Sequence, residues 1–308
     1  MKNILTFDVE DYYQVSAFSG QIRPEQWSGF DDRVQSSTRK ILDLLDISGS
    51  KATFFVLGWV AKNHAPLVRE IADRGHEVGC HSLQHLRVYE MTPEVFREDT
   101  RCAQKLLEDA CGRKIRGYRA PSFSITRQCF WAFEILAELG FTYDSSIFPV
   151  KHPNYGIPDE QRSPFVVDTP KGPITELPMP TLEIGRRRAP FGGGAYFRIL
   201  PYWYTRWSIH HINEREGRAV CVYLHPWELD PEQPRMKVEM SARLRHYTGL
   251  RRAEGKLRKL LRDFRFCSVG QWLREAGEEL GPGHNQTVGC PADSTPGNEA
   301  AHNAGQLS

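Results

Sequence analysis

The strongest constraint on this chain is a series of short apolar stretches alternating with helical patterns, each stretch ending in polar residues. Ile4 to Phe7 reads as a buried strand that runs into Asp8-Val9-Glu10-Asp11. Ser36 to Leu45 carries Ile41, Leu42, Leu44 and Leu45 on a helical period. Ala52 to Leu57 is a second strand, Val60 to Ala72 a helix closed by Asp73-Arg74-Gly75, and His76 to Gly79 a third strand. Thr92-Pro93-Glu94 opens a helix that runs to about Ala110, because threonine can cap and proline suits the first helical position. Gly117-Tyr118-Arg119 is a brief strand, and Ser124 or Thr126 opens a helix to Leu139. Such alternation predicts an α/β fold with a mainly parallel sheet. A barrel-like arrangement places chemistry on the loops at the carboxyl ends of the strands. The polar clusters fall at those ends: Asp8 to Asp11, His81 to His85, Arg119, Asp144 and His225.

The later half is less regular. Nine prolines break residues 150–218 into short pieces, which predicts an insertion of loops and short strands. Arg251 to Phe264 is a basic amphipathic helix with Leu257, Leu260, Leu261 and Phe264 on its apolar face. From Gly281 the composition turns to Gly, Pro, Asn, Ser and Ala, which predicts a single domain over 1–280 and a disordered tail over 281–308. A formal net charge of +2 gives no reason to expect nucleic-acid binding. The seven cysteines are irregularly spaced with no Cys-x-x-Cys pair, so they read as buried thiols of a reducing compartment. No leader-like or membrane-spanning stretch is found, and the expected location is cytoplasmic.

His81-Ser82-Leu83-Gln84-His85 sets two imidazoles four residues apart, a spacing that on a helical turn aims both rings at one ion. His76, inside a strand, reads as structural. The acidic partner comes from Asp8 to Asp11, since so many acids at one strand end call for a compensating cation. Strand alternation puts Asp8 and Glu10 on one side. Glu10 is the preferred ligand and Asp11 its rival. Two histidines and one carboxylate leave coordination positions open, as a catalytic metal requires, and Zn2+ suits the ligand types.

Thr6-Phe7-Asp8-Val9-Glu10-Asp11, His81-Ser82-x-x-His85, Arg119-Ala120-Pro121-Ser122-Phe123, Asp144-Ser145-Ser146 and Leu224-His225-Pro226 occur in the order of the motifs of the NodB-homology polysaccharide deacetylases, which the chain resembles from about Lys2 to Trp272. The Asp-Val-Glu-Asp-Tyr-Tyr opening and the segment Pro190 to Arg198 look like the branch associated with exosortase systems and bacterial exopolysaccharide clusters. The resemblance implies a distorted (β/α) barrel with fewer than eight full units. It also implies metal-dependent hydrolysis of N-acetyl groups on the amino sugars of an exopolysaccharide or its precursor, or of another non-peptide amide on the same scaffold. Carried over by motif, Asp8 matches the catalytic base, Arg119 the arginine that positions it, and His225 the catalytic acid. The family's first motif usually carries two aspartates; the second position is occupied here by Glu10, with one residue between it and Asp8, so the acidic metal ligand stays between Glu10 and Asp11.

Tyr202, Trp203, Tyr204, Trp207 and Trp227 suggest faces for stacking on sugar rings, with Trp227 the best placed and Trp207 expected in the core. Gly192-Gly193-Gly194 lacks the Lys-Ser/Thr of a phosphate loop and suggests a close backbone approach near the site. Arg186-Arg187-Arg188 and the helix from Arg251 offer positive charge to anionic headgroups or a lipid-linked precursor.

Overall fold

A computed structural model of the protein describes residues 1–152, 155–185, 187–280 and 287–289. Its strands are β1 (Asn3–Val9), β2 (Thr53–Val56), β3 (Glu77–Cys80), β4 (Gly117–Tyr118), β5 (Tyr143–Asp144), β6 (Phe165–Thr169), β7 (Gly172–Glu176), β8 (Thr181–Ile184), β9 (Arg187–Pro190), β10 (Cys221–Leu224), β11 (Phe266–Cys267) and β12 (Thr287–Gly289). The main helices are α1 (Val34–Ser48), α2 (Gly58–Asn63), α3 (Ala65–Asp73), α4 (Pro93–Cys111), α5 (Trp131–Glu138), α6 (Gly194–Ile199), α7 (Tyr202–Arg215), α8 (Met240–Tyr247), α9 (Leu250–Asp263) and α10 (Val269–Leu280). The sheet runs β10-β1-β2-β3-β4-β5-β7-β6-β12, with β11 beside the start of β1. Its pairs are parallel except β6–β7. This is the α/β fold with a mainly parallel sheet that the alternation predicts, curled as a distorted barrel.

Side-chain alternation sorts each central strand into two faces. Leu5, Phe7 and Val9 of β1 and Phe54 and Val56 of β2 join the large core under the helices. Ile4 and Phe55 instead join Tyr143, Phe148, Met179 and Tyr223 in a smaller cluster. The same alternation turns Thr6 and Asp8 to that second face, and both side chains reach Arg119 there. Polar residues at the carboxyl end of β1 therefore face the barrel axis, not the helical shell.

The segment over 150–218, expected as loops and short strands, holds four strands and two helices. The 14-residue α7 was hidden by its aromatic and β-branched residues, which favour helix weakly, yet it buries Thr205, Ser208, Ile209 and Ile212 at helical spacing. This segment spans the gap between β5 and β10. Leu177 N donates to Asp144 O and Met179 N to Ile147 O on one side; Tyr223 N donates to Gly192 O on the other. The β8–β9 hairpin lies between these contacts. Its base is tight: a Cβ on Gly193 would sit 2.1 Å from the Tyr223 carbonyl oxygen, and Gly194 has a left-handed φ of 54°.

Val60 to Ala72, expected as one helix, is two, α2 and α3, broken at His64. Pro66 lacks the N–H that a continuous helix needs and clashes with the preceding turn. The basic helix is α9, which buries Leu257, Leu260 and Leu261 against the domain. Of the tail over 281–308, Thr287–Gly289 pairs with β6, and the rest, Cys290 included, lies outside the described residues, as does Arg186. The six cysteines among the described residues are free.

Replacing Gly193 by alanine should drive the hairpin base away from β10. Urea unfolding is expected to show a loss of about 1–3 kcal/mol, and an unchanged midpoint would contradict this closure.

Candidate metal centre and active site

Arg119, at the end of β4, is fully buried. Its Nη1 donates to Asp8 Oδ1 at 2.8 Å and Thr6 Oγ1 at 2.7 Å, its Nε to Ser145 O at 3.0 Å and its Nη2 to Ser145 Oγ at 2.9 Å. The guanidinium lies 4.3 Å from the centroid of the Phe55 ring. Asp8 thus has one oxygen held by a cation, while Oδ2 lies 3.9 Å from His225 Nε2.

The two histidines after β3 are not on a helical turn. Residues 81–87 form a loop in which Ser82 and His85 have φ of 64° and 59°. The loop is pinned by Gly58 N and Trp59 N donating to Ser82 O and Leu83 O, Leu83 N to Asp99 Oδ2, and His85 N to Ser82 Oγ. These bonds override the helical spacing, yet the rings still converge, with centroids 5.3 Å apart. The other non-glycine residues with left-handed φ among those described, Ser122 and Phe123, sit in the Arg119-Ala120-Pro121-Ser122-Phe123 loop facing the same cavity. Such conformations cost roughly 1–3 kcal/mol each and concentrate at functional sites.

Glu10, His81 and His85 each offer a ligand atom, all within 4.8 Å of one another. His81 Nδ1 lies 2.8 Å from the Arg119 carbonyl, which can only accept, so the ring proton sits there and Nε2 keeps its lone pair. Burial holds the His81 pKa down to about 4, against the charge of Asp8, so the ring is neutral near pH 7. His85 Nδ1 lies 3.3 Å from Ser16 Oγ. Glu10 Oε1 accepts from Trp227 Nε1 at 3.1 Å. Its Oε2 is buried and makes no hydrogen bond, although His85 Nε2 is 2.8 Å away. Burial raises the Glu10 pKa, but His85, then His225 and His81, outweigh it and hold the carboxyl down to about 2. A buried carboxylate oxygen without a donor, beside imidazole nitrogens, is what a divalent cation satisfies; the donor set fits the expected metal.

Asp11 is turned elsewhere. Its oxygens accept from Tyr12 N at 2.8 Å, Arg33 N at 2.7 Å and Val34 N at 2.9 Å, so it anchors the start of α1. Burial pushes its pKa up to about 7 against those three bonds.

His225 follows β10. Its backbone N donates to Glu228 Oε2 at 3.0 Å, its Nδ1 lies 3.2 Å from the same oxygen, and its Nε2 lies 3.7 Å from Glu10 Oε1. Burial disfavours the charged ring, but the hydrogen bond and charge of Glu228, then Glu10 and Asp8, push its pKa up to about 9. Glu228 is held in turn by Arg198 Nε at 2.5 Å, and Arg198 also donates to the carbonyls of Arg245, His246 and Thr248. Trp227 stacks between His225, 5.2 Å away, and His246, 4.2 Å away. The sequence reading missed Glu228 and Arg198; the spacing of Glu228 three residues after His225, before which lies only Pro226-Trp227, was the available signal.

A cavity of about 190 Å3 brings together Asp8, Glu10, His81, His85, His225, Trp227 and Gly194. Arg119 stands behind Asp8. Asp144 does not reach the cavity: Ser146 Oγ and N donate to it, and it shares a buried carboxyl pair with Glu176 beneath the site. Trp203 and Trp207 lie elsewhere, and Trp207, expected in the core, is 48% exposed because the buried stripe of α7 is Thr205, Ser208, Ile209 and Ile212.

Residues 23–143 match the family model described as polysaccharide deacetylase, and residues 145–274 match a domain of unknown function, DUF3473. A peptidoglycan-N-acetylglucosamine deacetylase of Bacillus cereus is 33% identical over 121 residues, 38% of this chain and 44% of that protein. A chitooligosaccharide deacetylase of Azorhizobium caulinodans is 34% identical over 94 residues, 30% of this chain and 45% of that protein. The chain thus spans less than half the length of these relatives. A solved structure from Mycobacterium smegmatis, assigned to the polysaccharide deacetylases, aligns with TM-score 0.60 and 18% identity over 91% of this chain and 93% of that one, a likeness of fold. Residues 23–143 are thus similar to polysaccharide deacetylases, and the barrel is the fold of that solved structure.

Two substitutions separate the neighbouring acids. Glu10→Ala should lose bound metal in elemental analysis after zinc loading. Asp11→Ala should keep it while losing about 1–2 kcal/mol of stability with its helix-start bonds. Metal loss in Asp11→Ala with retention in Glu10→Ala would reverse the assignment.

Proposed function

We propose that this domain hydrolyses the acetamide of N-acetylated amino sugars in a bacterial exopolysaccharide or its precursor, using a divalent metal, zinc by preference, held by Glu10, His81 and His85. The observation that carries this reading is the facing pair Asp8 and His225, with Oδ2 and Nε2 3.9 Å apart, beside those three residues in one cavity. The metal, when bound, would polarise the acetyl carbonyl and lower the pKa of water. Asp8, its Oδ1 occupied by Arg119, takes the proton of the attacking water on Oδ2. As the new C–O bond forms and the C–N bond breaks, the amine must leave protonated. His225 supplies that proton from Nε2, because Glu228 holds the ring by Nδ1. The products are acetate and a free amine.

A sugar polymer suits the surroundings. A second groove of about 530 Å3 shares Arg87, Tyr89, His152 and Tyr155 with the cavity, so a chain longer than one residue has a continuous path. Half-buried Tyr89 lines both the cavity and the groove and offers an aromatic ring to a sugar face. The names of the relatives, chitooligosaccharide and peptidoglycan-N-acetylglucosamine deacetylases, support the acetamide chemistry. The choice of an exopolysaccharide rests on the resemblance of the Asp8–Tyr13 and Pro190–Arg198 segments.

Acetate release from chitooligosaccharides, peptidoglycan fragments and acetylated exopolysaccharide should depend on metal, vanish with a chelator and return with zinc. Asp8→Asn and His225→Ala should each lower kcat by roughly 10²–10⁴-fold with the fold retained. Full activity in purified Asp8→Asn protein would refute the base role. For Glu228→Gln we expect at least a tenfold fall in kcat with little change in KM, and an unaltered kcat would remove Glu228 from the positioning of His225.

A further inference from the structure

Among the described residues, the outer face of α7 is uncovered. Trp203 is 67% and Trp207 48% exposed, one turn apart on the same side, and Ile199 at the end of α6 is 50% exposed just before them. Large aromatic side chains rarely stand this open unless something covers them. The surrounding charge is positive. Arg206 lies between the two tryptophans in sequence and is 55% exposed, with Asp263 as its ion-pair partner at 3.4 Å. Lys256 of α9 donates to the carbonyls of Phe197, Arg198 and Leu200, which places the α9 face carrying exposed Arg252 and Lys259 beside Ile199. The apolar stripe of α9 is consumed by the core, so its cations are the part left for a partner.

We infer that Ile199, Trp203 and Trp207, flanked by Arg206, Arg252 and Lys259, form a docking face for an anionic lipid surface. Tryptophan sits at the level of lipid headgroups, with its ring among the acyl chains and its N–H in the polar layer. Each flanking cation adds attraction to anionic headgroups. No helix among the described residues is long and apolar enough to cross a membrane. One further relation gives the face a use. The six-residue α6 begins at Gly194 and Ala195, which line the cavity, and ends at Ile199 in the patch, a span of about 9 Å. Docking therefore brings the cavity close to the lipid surface, where a lipid-borne or membrane-proximal glycan would lie. The inference stands on exposure and charge and does not depend on the deacetylase reading.

The test is co-sedimentation of the full chain with vesicles of equimolar phosphatidylglycerol and phosphatidylcholine, against vesicles of phosphatidylcholine alone. Binding to the anionic vesicles at least tenfold tighter than to the neutral ones is expected, together with a blue shift in tryptophan emission. Trp203→Ser/Trp207→Ser should cut binding at least tenfold while the melting temperature stays unchanged, as for exposed positions. Arg252→Gln/Lys259→Gln should weaken it by roughly fivefold per cation. No binding to anionic vesicles, or equal binding by the tryptophan variant, overturns the inference. So does light scattering that shows a dimer of the wild type and a monomer of the tryptophan variant, which would assign the patch to a second copy of the chain.

Discussion

Everything at the site depends on a fully buried arginine. Burying a guanidinium is costly unless every donor is matched, and removal of one partner would leave an uncompensated charge. Arg119 meets that requirement by reaching Thr6 and Asp8 on β1, Ser145 after β5 and the Cys221 thiol on β10, so it ties the walls of the barrel together. Its carbonyl also fixes the His81 ring. One residue thus orients the proposed base through its side chain and a proposed ligand through its backbone. A neutral replacement would free Asp8 to turn and leave a void beside Phe55. Lysine, with a point charge in place of a planar fork, cannot make the same set of bonds.

The site is shared between the two matched segments. Residues 23–143, the deacetylase match, supply His81, His85 and Arg119, while Asp8 on β1 and Glu10 just after it precede that match. Residues 145–274, the DUF3473 match, supply His225, Trp227, Glu228 and Arg198. Trp227 bonds Glu10, and His225 faces Asp8 and Glu10, so the halves complete one cavity. The same later segment closes the gap between β5 and β10. Its role in the fold and its role in the site are therefore inseparable: the contact that seats Gly193 against Tyr223 also sets Gly194 and Arg198 in the cavity wall.

Much of this was legible in the sequence where local rules and tertiary structure agree. Period-2 alternation put Asp8 and Glu10 on one face, and the strand–helix rhythm gave the parallel sheet. The pairing of His81 with His85 was foreseen for a mistaken reason, since the spacing suggested a helical turn and long-range hydrogen bonds to Gly58, Trp59 and Asp99 impose a strained loop instead. The distinction between Glu10 and Asp11 in space was only half visible, because the bonds that draw Asp11 to Arg33 and Val34 join residues more than twenty positions apart. Asp144 carried a motif signal without a place in the cavity, its partner Glu176 lying on a strand that no local pattern links to it. Arg198 was invisible for the same reason. Its meaning comes from Glu228 and from the end of α8, both distant in sequence.

The proposed hydrolysis by water, assisted by Asp8 and His225, marks the acetate it releases. Its most direct test is incubation of the zinc-loaded protein with an N-acetylated oligosaccharide in ¹⁸O-enriched water. Acetate carrying one heavy oxygen is expected, released in equal amount with free amine on the sugar. Acetate without the label, or no new amine, would contradict it.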